Sequence, residues 1–183
     1  MHVFLWILGL VAVAAVAVAI TARWRRAAEV RVIRCPETGE KQAVKVDPRR
    51  ALTQGMSEDA IQLTSCSRWP ERQDCDQPCR KQIAEAPDGC LVRSTLDVYY
   101  AGATCALCGK EFGDHVDWAV HEPGLLDESG HVSTWEQFPA QQIDEVLAVC
   151  QPVCWDCTQI QRLAQEHPER VTLRPHRKSA VES

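Results

Sequence analysis

The stretch Cys105-Ala-Leu-Cys108-Gly-Lys110 decides how this chain folds, and Cys154-Trp-Asp-Cys157 repeats its cysteine spacing near the end of the sequence. Two thiols that stand two residues apart can both reach one tetrahedral metal ion. The glycine lets backbone amides turn toward the sulfurs, and the lysine offsets thiolate charge. We therefore predict a closed structural Zn²⁺ site with four ligands: Cys105, Cys108, Cys154 and Cys157. Two separate buried or redox-active dithiols are the alternative interpretation.

The first cysteine pair, followed by glycine, resembles the zinc knuckle of zinc-ribbon and treble-clef proteins. The resemblance implies a knuckle, a hairpin and a ligand-bearing helix that begins at the second pair. At a helix start, unpaired amides and the positive end of the helix dipole favour thiolates. The sequence departs from a simple ribbon because the 45 residues 109–153 separate the two pairs. This separation implies an inserted hairpin and helix.

Five further cysteines lie upstream of the first pair: Cys35, Cys66, Cys75, Cys79 and Cys90. A tetrahedral site takes four ligands, so we predict a second zinc site from the cysteine at a hairpin tip and three cysteines of a polar region: Cys35, Cys66, Cys75 and Cys79. Cys75 and Cys79 are four residues apart and can share one face of a predicted helix. Cys90 is then left over. An iron–sulfur cluster or merely buried thiols are the alternatives at this second site.

The amino-terminal segment from Val3 to Ala22 contains no charged residue. As a helix it would span about 30 Å, the thickness of a bilayer core. Several arginines follow it, opposed by Glu29 alone: Arg23, Arg25, Arg26, Arg31 and Arg34. Since positive flanks are retained in the cytoplasm, we predict a single-pass anchor in the cell membrane, with the N-terminus outside and the C-terminal domain cytoplasmic. A signal peptide is the alternative, because Ala17, Ala19 and Ala22 offer small residues to a signal peptidase.

This predicted topology determines how the ten cysteines are interpreted. In an exported domain an even number of cysteines indicates disulfides, whereas in a reducing cytosol the same density indicates metal ligation or redox chemistry. A chain of 183 residues has room for an anchor and one compact domain or two small lobes, which excludes a large multi-domain enzyme. The net charge of −5 gives no basic face for nucleic acid, so we expect no nucleic-acid partner.

The pattern of strands, turns and helices predicts the α+β class, with one transmembrane helix followed by a small metal-stapled domain of hairpins and short helices. The predicted segments are a transmembrane anchor 1–22, a basic juxtamembrane collar 23–29, an N-terminal cysteine-rich lobe 30–90, a C-terminal zinc-ribbon or treble-clef-like lobe 91–173, and a flexible tail 174–183.

Periodicity and turn residues predict the elements within the lobes. Alternating apolar residues indicate extended structure in three places: a hairpin over 30–46 with Cys35 at its tip, a strand over 60–65, and a hairpin over 125–135. Helical spacing indicates three helices: 77–86, the segment after Pro139 with Cys150 packed on its apolar stripe, and the segment from Pro152 to Glu166. The β-branched and aromatic residues of 91–101 favour an extended conformation.

Four polar residues invite comparison with the zinc deaminases, which use an H-x-E motif followed by P-C-x-x-C: His115, Asp117, His121 and Glu122. The match is incomplete, because Asp117 stands where the motif requires glutamate. A site of four cysteines also leaves no open coordination position for catalysis. A hydrolase or deaminase is therefore a lesser alternative to a protein without enzymatic activity.

Phrases such as Cys66-Ser-Arg-Trp-Pro-Glu-Arg72 and Pro152-Val-Cys-Trp-Asp-Cys157 resemble those of a group of membrane-anchored, cysteine-rich bacterial proteins, over residues 30–174. The resemblance implies that the cysteines form one set. We expect a cytoplasmic zinc-binding module that acts as a structural or interaction subunit of a membrane-associated complex. Its partners would be the bilayer, through residues 3–22, and another membrane or cytosolic protein. A redox or electron-transfer protein with an iron–sulfur cluster or reactive thiols is the alternative.

Overall fold

The computed structural model of the protein describes residues 2–72, 74–118 and 120–168, and the predicted tail 174–183 lies outside these ranges. Helices and strands are mixed along the chain, as predicted for the α+β class.

The chain divides into two compact units. The first comprises Met1–Tyr99 and Glu136–Ala148, and the second comprises Tyr100–Trp135 and Val149–Ser183. Residues 91–99 and Glu136–Ala148 therefore belong with the first unit, although the predicted C-terminal lobe, 91–173, included both.

Helix α1, His2–Ala28, forms the amino-terminal part of the first unit. Its segment Phe4–Ala28 has a mean hydropathy of 2.6 over its most apolar window, and none of that window is buried. By length and composition this helix can cross a membrane. A signal sequence near the N-terminus would have the same properties, so the side of the membrane stays a prediction.

Arg31, one of the arginines that follow the predicted anchor, holds the end of α1 in place. Arg31 is only 3% exposed. Its Nη1 atom donates to the carbonyl oxygens of Ala27 at 2.9 Å and of Glu29 at 3.0 Å. These two carbonyls lie at and beyond the helix end, where backbone acceptors lack partners within the helix. Arg31 therefore holds the turn between α1 and the first strand instead of presenting its charge to solvent.

The first unit contains an antiparallel sheet of β1 (Arg31–Arg34), β2 (Lys41–Val46) and β3 (Leu63–Cys66), in the order β1-β2-β3. Arg34 pairs with Lys41 across the connection that carries Cys35, which confirms the predicted hairpin. The buried face of the sheet supplies Val44, Val46 and Leu63 to a core that also includes Ile83.

Helices α2 (Pro48–Gln54), α3 (Arg80–Glu85) and α5 (Ile143–Val149) complete most of this unit. Helix α3 is shorter than predicted. Cys79 directly precedes it, and Gln77 has a positive φ of 58°, which is incompatible with helix. The expectation that Cys75 and Cys79 share a helical face is therefore wrong, because Cys75 lies in the irregular segment before that turn.

Residues Val92–Tyr100 form helix α4, where the sequence favoured an extended segment. Val92, Leu96 and Tyr100 follow one another at intervals of four residues and are 2%, 0% and 1% exposed. This spacing places all three on one helical face. Burial of that face outweighs the weak preference of valine, threonine and tyrosine for strands.

The second unit contains an antiparallel sheet of β4 (Gly124–Leu126), β5 (Val132–Ser133) and β6 (Gln151–Val153), in the order β5-β4-β6. The hairpin of β4 and β5 was predicted. Strand β6 was not, because Pro152 suggested the first turn of a helix. Pro152 instead pairs opposite Leu125 on an edge strand, where the missing N–H is tolerated. Helix α6, Trp155–Glu166, starts three residues later and ends as predicted.

Candidate metal centre

The loop 105–110 is a tight turn closed by two backbone hydrogen bonds. The Cys105 amide donates to the Lys110 carbonyl at 2.9 Å, and the Gly109 amide donates to the Cys105 carbonyl at 2.9 Å. Gly109 has a φ of +71°, a left-handed conformation that glycine adopts without steric cost. The turn brings Cys105 and Cys108 to the same side of the loop, and we call residues 105–110 the knuckle.

The second cysteine pair lies where β6 passes into α6. Cys154 is the residue before α6 and has extended backbone angles, while Cys157 lies in the first turn. Thr158 holds this junction, because its amide and its hydroxyl donate to the Cys154 carbonyl at 2.9 and 3.0 Å. The Ala106 amide donates to the Pro152 carbonyl at 2.9 Å, which ties the knuckle to β6.

These elements bring together the first four predicted ligands. The sulfur atoms of Cys105, Cys108, Cys154 and Cys157 all lie within 4.8 Å of one another. Four sulfurs bound at about 2.3 Å to a tetrahedral ion lie about 3.8 Å apart. The sulfurs of Cys108 and Cys154, which come from different loops, are 3.7 Å apart. The group could therefore hold a metal ion with little rearrangement.

The four sulfurs lie at one edge of a small apolar core. Cys105 and Cys154 are 2% and 7% exposed and pack with Val132 and Val153. Cys157 is half-buried, and Cys108 is exposed. Solvent therefore reaches the group mainly on the side of Cys108, while the other side is walled by apolar side chains.

The environment of Cys105 favours its thiolate form. Burial alone would raise the pKa of this thiol, but hydrogen bonds from the backbone of Cys154, Cys108 and Leu107 outweigh burial and lower the pKa to about 6. The Cys154 amide donates to the Cys105 sulfur at 3.3 Å. Burial and hydrogen bonds to neighbouring sulfurs raise the pKa of Cys157. Four clustered thiols thus lose their protons unequally, and a bound cation would favour release of the remaining protons.

Lys110 and Asp156 bracket the centre on its solvent side. Their charged atoms are 3.2 Å apart. The pKa of Lys110 is raised, first by its hydrogen bond to Asp156 and also by the nearby sulfurs of Cys154 and Cys108. Lys110 is therefore placed to offset the negative charge of a four-thiolate site, as the sequence suggested.

The predicted second quartet does not form such a group. In residues 2–72, 74–118 and 120–168, one cluster brings three or more potential ligand atoms within 4.8 Å of one another. That cluster consists of Cys105, Cys108, Cys154 and Cys157. The four upstream cysteines instead line one small cavity: Cys35, Cys66, Cys75 and Cys79. Cys79 is 6% exposed. Burial, followed by the proximity of Cys66 and Cys75, raises its pKa to about 11.

Two cysteines stand apart from these groups. Cys90 packs against the core of the first unit, where burial raises its pKa, and it does not line the cavity. Cys150 is half-buried just after α5, and burial also raises its pKa. Cys150 was predicted on the apolar stripe of that helix, but the helix ends at Val149.

The residues that suggested a deaminase lie beside the metal centre without joining it. His115, Asp117 and His121 line an open cleft of about 300 Å³ that Cys154 also lines. His121 Nδ1 lies 3.8 Å from an Asp117 carboxylate oxygen, and its ring meets the Trp155 ring edge-on at 5.1 Å. The candidate ligands in the described residues are four cysteines, which would close a tetrahedral sphere around a metal ion and leave no open position for a reacting water.

Sequence reasoning missed two residues that shape the cysteine groups. Arg68 Nη1 lies 3.5 Å from the Cys35 sulfur, and no spacing rule links positions so far apart. Gly124 lies so close to α6 that an added Cβ atom would be 2.5 Å from the Thr158 hydroxyl oxygen. An isolated glycine at the start of a strand does suggest close approach of a neighbour, although it does not identify that neighbour.

No family model, curated protein or solved structure matches this chain. The resemblance to zinc-ribbon, treble-clef and membrane-anchored cysteine-rich proteins therefore stays a prediction.

Proposed function

We propose that this protein is a single-pass membrane protein whose cytoplasmic domain binds a structural Zn²⁺ ion through Cys105, Cys108, Cys154 and Cys157. The domain has a treble-clef-like plan in its second unit and serves as a structural or interaction subunit of a membrane-associated complex.

One observation carries the metal assignment: the sulfurs of Cys108 and Cys154 are 3.7 Å apart although 46 positions separate the residues. This distance is close to the edge of a tetrahedron of thiolates around zinc, about 3.8 Å. Hydrogen bonds from backbone amides to Cys105 and the charge of Lys110 supply what a dianionic zinc–thiolate group requires. Because the small apolar core beside the site is itself walled by two of the ligands, metal binding would contribute to folding free energy.

Helix α1 supports the membrane part of the proposal. The apolar side chains of its segment 4–24 are exposed, and Trp6, for example, is 76% exposed. Arg23 and Arg25 stand near its C-terminal end, where they would interact with the cytoplasmic surface of the bilayer, while Arg26 pairs with Asp88 at 3.0 Å. The domain that follows would then lie in the reducing cytosol, where free thiols are available to a metal.

Two features support the interaction role: the four protein ligands that would surround the metal ion, and the exposed apolar side chains of α6. A site with four protein ligands stabilises a fold and does not activate water. Ile160 and Leu163, three residues apart on α6, are 63% and 56% exposed. They offer an apolar contact for a protein partner on the helix that carries Cys157 and directly follows Cys154.

A redox role is the second candidate, and the low pKa of Cys105 beside the exposed Cys108 favours it. A thiolate next to an accessible thiol is the arrangement of reactive dithiols. A tetrahedral four-sulfur site also suits iron, which would carry electrons.

Metal analysis of the full-length protein, purified anaerobically in detergent, separates these candidates. We expect a colourless protein that loses one equivalent of zinc in Cys108→Ser or Cys157→Ser, because a missing thiolate opens the site. Cys150→Ser is the matched control and should keep its zinc, since Cys150 lies outside the group. Stoichiometric iron with visible absorbance would support electron transfer instead. Metal content unchanged in Cys108→Ser and Cys157→Ser would refute the quartet.

A further inference from the structure

The first unit contains a loop with the same backbone hydrogen bonds as the knuckle. In residues 35–40, the Cys35 amide donates to the Glu40 carbonyl at 2.8 Å, and the Gly39 amide donates to the Cys35 carbonyl at 2.7 Å. The two corresponding bonds of the knuckle are both 2.9 Å. Gly39 has a φ of +74°, and the glycine of the knuckle has a φ of +71°. The sequences agree at the cysteine and the glycine, with Thr38 where the knuckle has its second cysteine.

The two loops also surround the sulfur of their first cysteine in the same way. The backbone amides of Glu37 and Thr38 lie near the Cys35 sulfur, as the amides two and three positions along lie near the Cys105 sulfur in the knuckle. The Thr38 side chain contacts the same sulfur. Arg68 Nη1 lies 3.5 Å from it and pairs with Glu37 at 2.6 Å. A packed neutral thiol requires none of these donors, whereas a metal-bound thiolate is stabilised by all of them.

Three more cysteines converge on this loop. Cys66 ends β3 and pairs with Val44 on β2, Cys75 follows in an irregular segment, and Cys79 directly precedes α3. All three line the same cavity as Cys35. Cys154 has the place of Cys79 in the second unit, between the sheet and the start of a helix. The two units thus share a plan of knuckle, antiparallel sheet and cysteine before a helix.

The cavity has the size that a small cation requires, and two arginine side chains line it beside the cysteines. Its volume is about 20 Å³, and a single water-sized occupant needs about 10–15 Å³. Arg68 and Arg72 line it, and no carboxylate of the described residues does. Arg68 is also paired with Glu37 at 2.6 Å and Arg72 with Asp74 at 3.2 Å, so the two guanidinium groups would act on the thiolates as nearby hydrogen-bond donors more than as net positive charge.

We propose that Cys35, Cys66, Cys75 and Cys79 bind a second Zn²⁺ ion, so that the first unit is a diverged copy of the metal-binding plan of the second. The ion would draw the four sulfurs to about 3.8 Å from one another. In the structure these four sulfurs do not form a group within 4.8 Å of one another, so they would have to move closer together. Binding forms four zinc–sulfur bonds, each thiol releases its proton to solvent, and no electron is transferred. This site goes beyond the proposed function because it shares no ligand with the first centre.

The test counts zinc in full-length protein purified anaerobically in detergent with a thiol reductant. We expect two equivalents in the unmutated protein and in Cys90→Ser, the control on the same core, and one equivalent in Cys66→Ser or Cys79→Ser. Cys108→Ser should also retain one, and X-ray absorption should find four sulfurs at about 2.3 Å around it. A single equivalent in the unmutated protein that persists in Cys66→Ser and is lost in Cys108→Ser overturns the second site and leaves the first. Loss of iron and inorganic sulfide in Cys66→Ser overturns the single-ion assignment.

Two further measurements complement the removal of single ligands: the first uses the unmutated protein, and the second restores the number of cysteines. Titration of the unmutated apoprotein with Co²⁺ should produce sulfur charge-transfer absorbance that saturates at two equivalents, and saturation at one contradicts the second site. Thr38→Cys restores the second cysteine of the knuckle pattern. Added to Cys75→Ser, it should bring the second zinc back, and failure to do so refutes the equivalence of the two loops.

Discussion

Gly124→Ala tests whether the close approach of β4 and α6 holds the metal centre in place. A Cβ atom at this position would lie 2.5 Å from Thr158 Oγ1, 2.9 Å from Val132 Cγ1 and 3.0 Å from Thr158 Cγ2. Carbon atoms in ordinary contact are about 3.5–4.0 Å apart. Thr158 and Val132 are buried and β-branched, so neither side chain can rotate freely out of the way. Helix α6 must therefore move away from the sheet, with Cys154 and Cys157.

The expected cost follows from two opposing terms. Overpacking of a filled core costs about 1–3 kcal/mol, and three close contacts place this site in the upper half of that range. The smaller conformational freedom of alanine in the unfolded chain returns about 0.4–1 kcal/mol. The net loss is about 2 kcal/mol, which corresponds to roughly 5 °C in Tm for a chain of this length. If folding and zinc binding are coupled, zinc affinity should fall about thirtyfold.

The assay combines thermal unfolding by circular dichroism with zinc affinity measured by chelator competition, on the full-length protein in detergent. Gly113→Ala is the matched control, because an added Cβ meets no atom within 4 Å there. It should stay within about 0.5 kcal/mol of the unmutated protein. In a Thr158→Ala background, Gly124→Ala should cost less, since two of the three close contacts are gone. A Gly124→Ala protein with unchanged Tm and zinc affinity would refute the reasoning.

Three further predictions concern other parts of the chain. A reporter fused after Ser183 should lie in the cytoplasm, because the arginines after α1 oppose translocation; a reporter on the other side would make the cysteines disulfide candidates. The pKa of Asp127 is lowered, first by its hydrogen bond to a serine hydroxyl in its own turn. The contribution of Asp127 to the free energy of unfolding should be present above its unfolded pKa of 3.8 and should disappear as pH falls through the lower folded value. Asp127→Asn should lack this pH dependence in an NMR titration. Arg31→Ala leaves the carbonyls of Ala27 and Glu29 without their charged donor and should lower the free energy of unfolding by about 2–4 kcal/mol in urea, with no change if those bonds do not form.

Local chemistry was sufficient to predict several elements of this fold. The hairpin of 30–46 follows from alternating apolar residues on either side of Pro36-Glu-Thr-Gly39, and the structure pairs Arg34 with Lys41 around that turn. The second hairpin follows similarly from the turn that begins at Asp127. Such elements depend on neighbours within a few residues, so their signals are contained in a short window of sequence.

Elements that depend on distant packing were predicted less well. Helix α4 was expected to be extended, because β-branched and aromatic residues dominate 91–101, and burial of Leu96 and Tyr100 determined the outcome. Pro152 was expected inside a helix, and its pairing with Leu125 placed it in a strand. In both cases a contact with remote residues outweighs a weak local preference.

The sequence by itself determined that each C-x-x-C pair could act as one chelating unit, because two positions of backbone place two thiols within reach of a common ion. It also determined that α1 is apolar and long enough to cross a membrane. Only the tertiary structure decided that the two pairs meet instead of remaining separate dithiols. Cys108 and Cys154 come within 3.7 Å because β6 is tied to the knuckle through Ala106 and because α6 packs on Gly124. Those contacts join segments more than thirty positions apart, and no local periodicity encodes them.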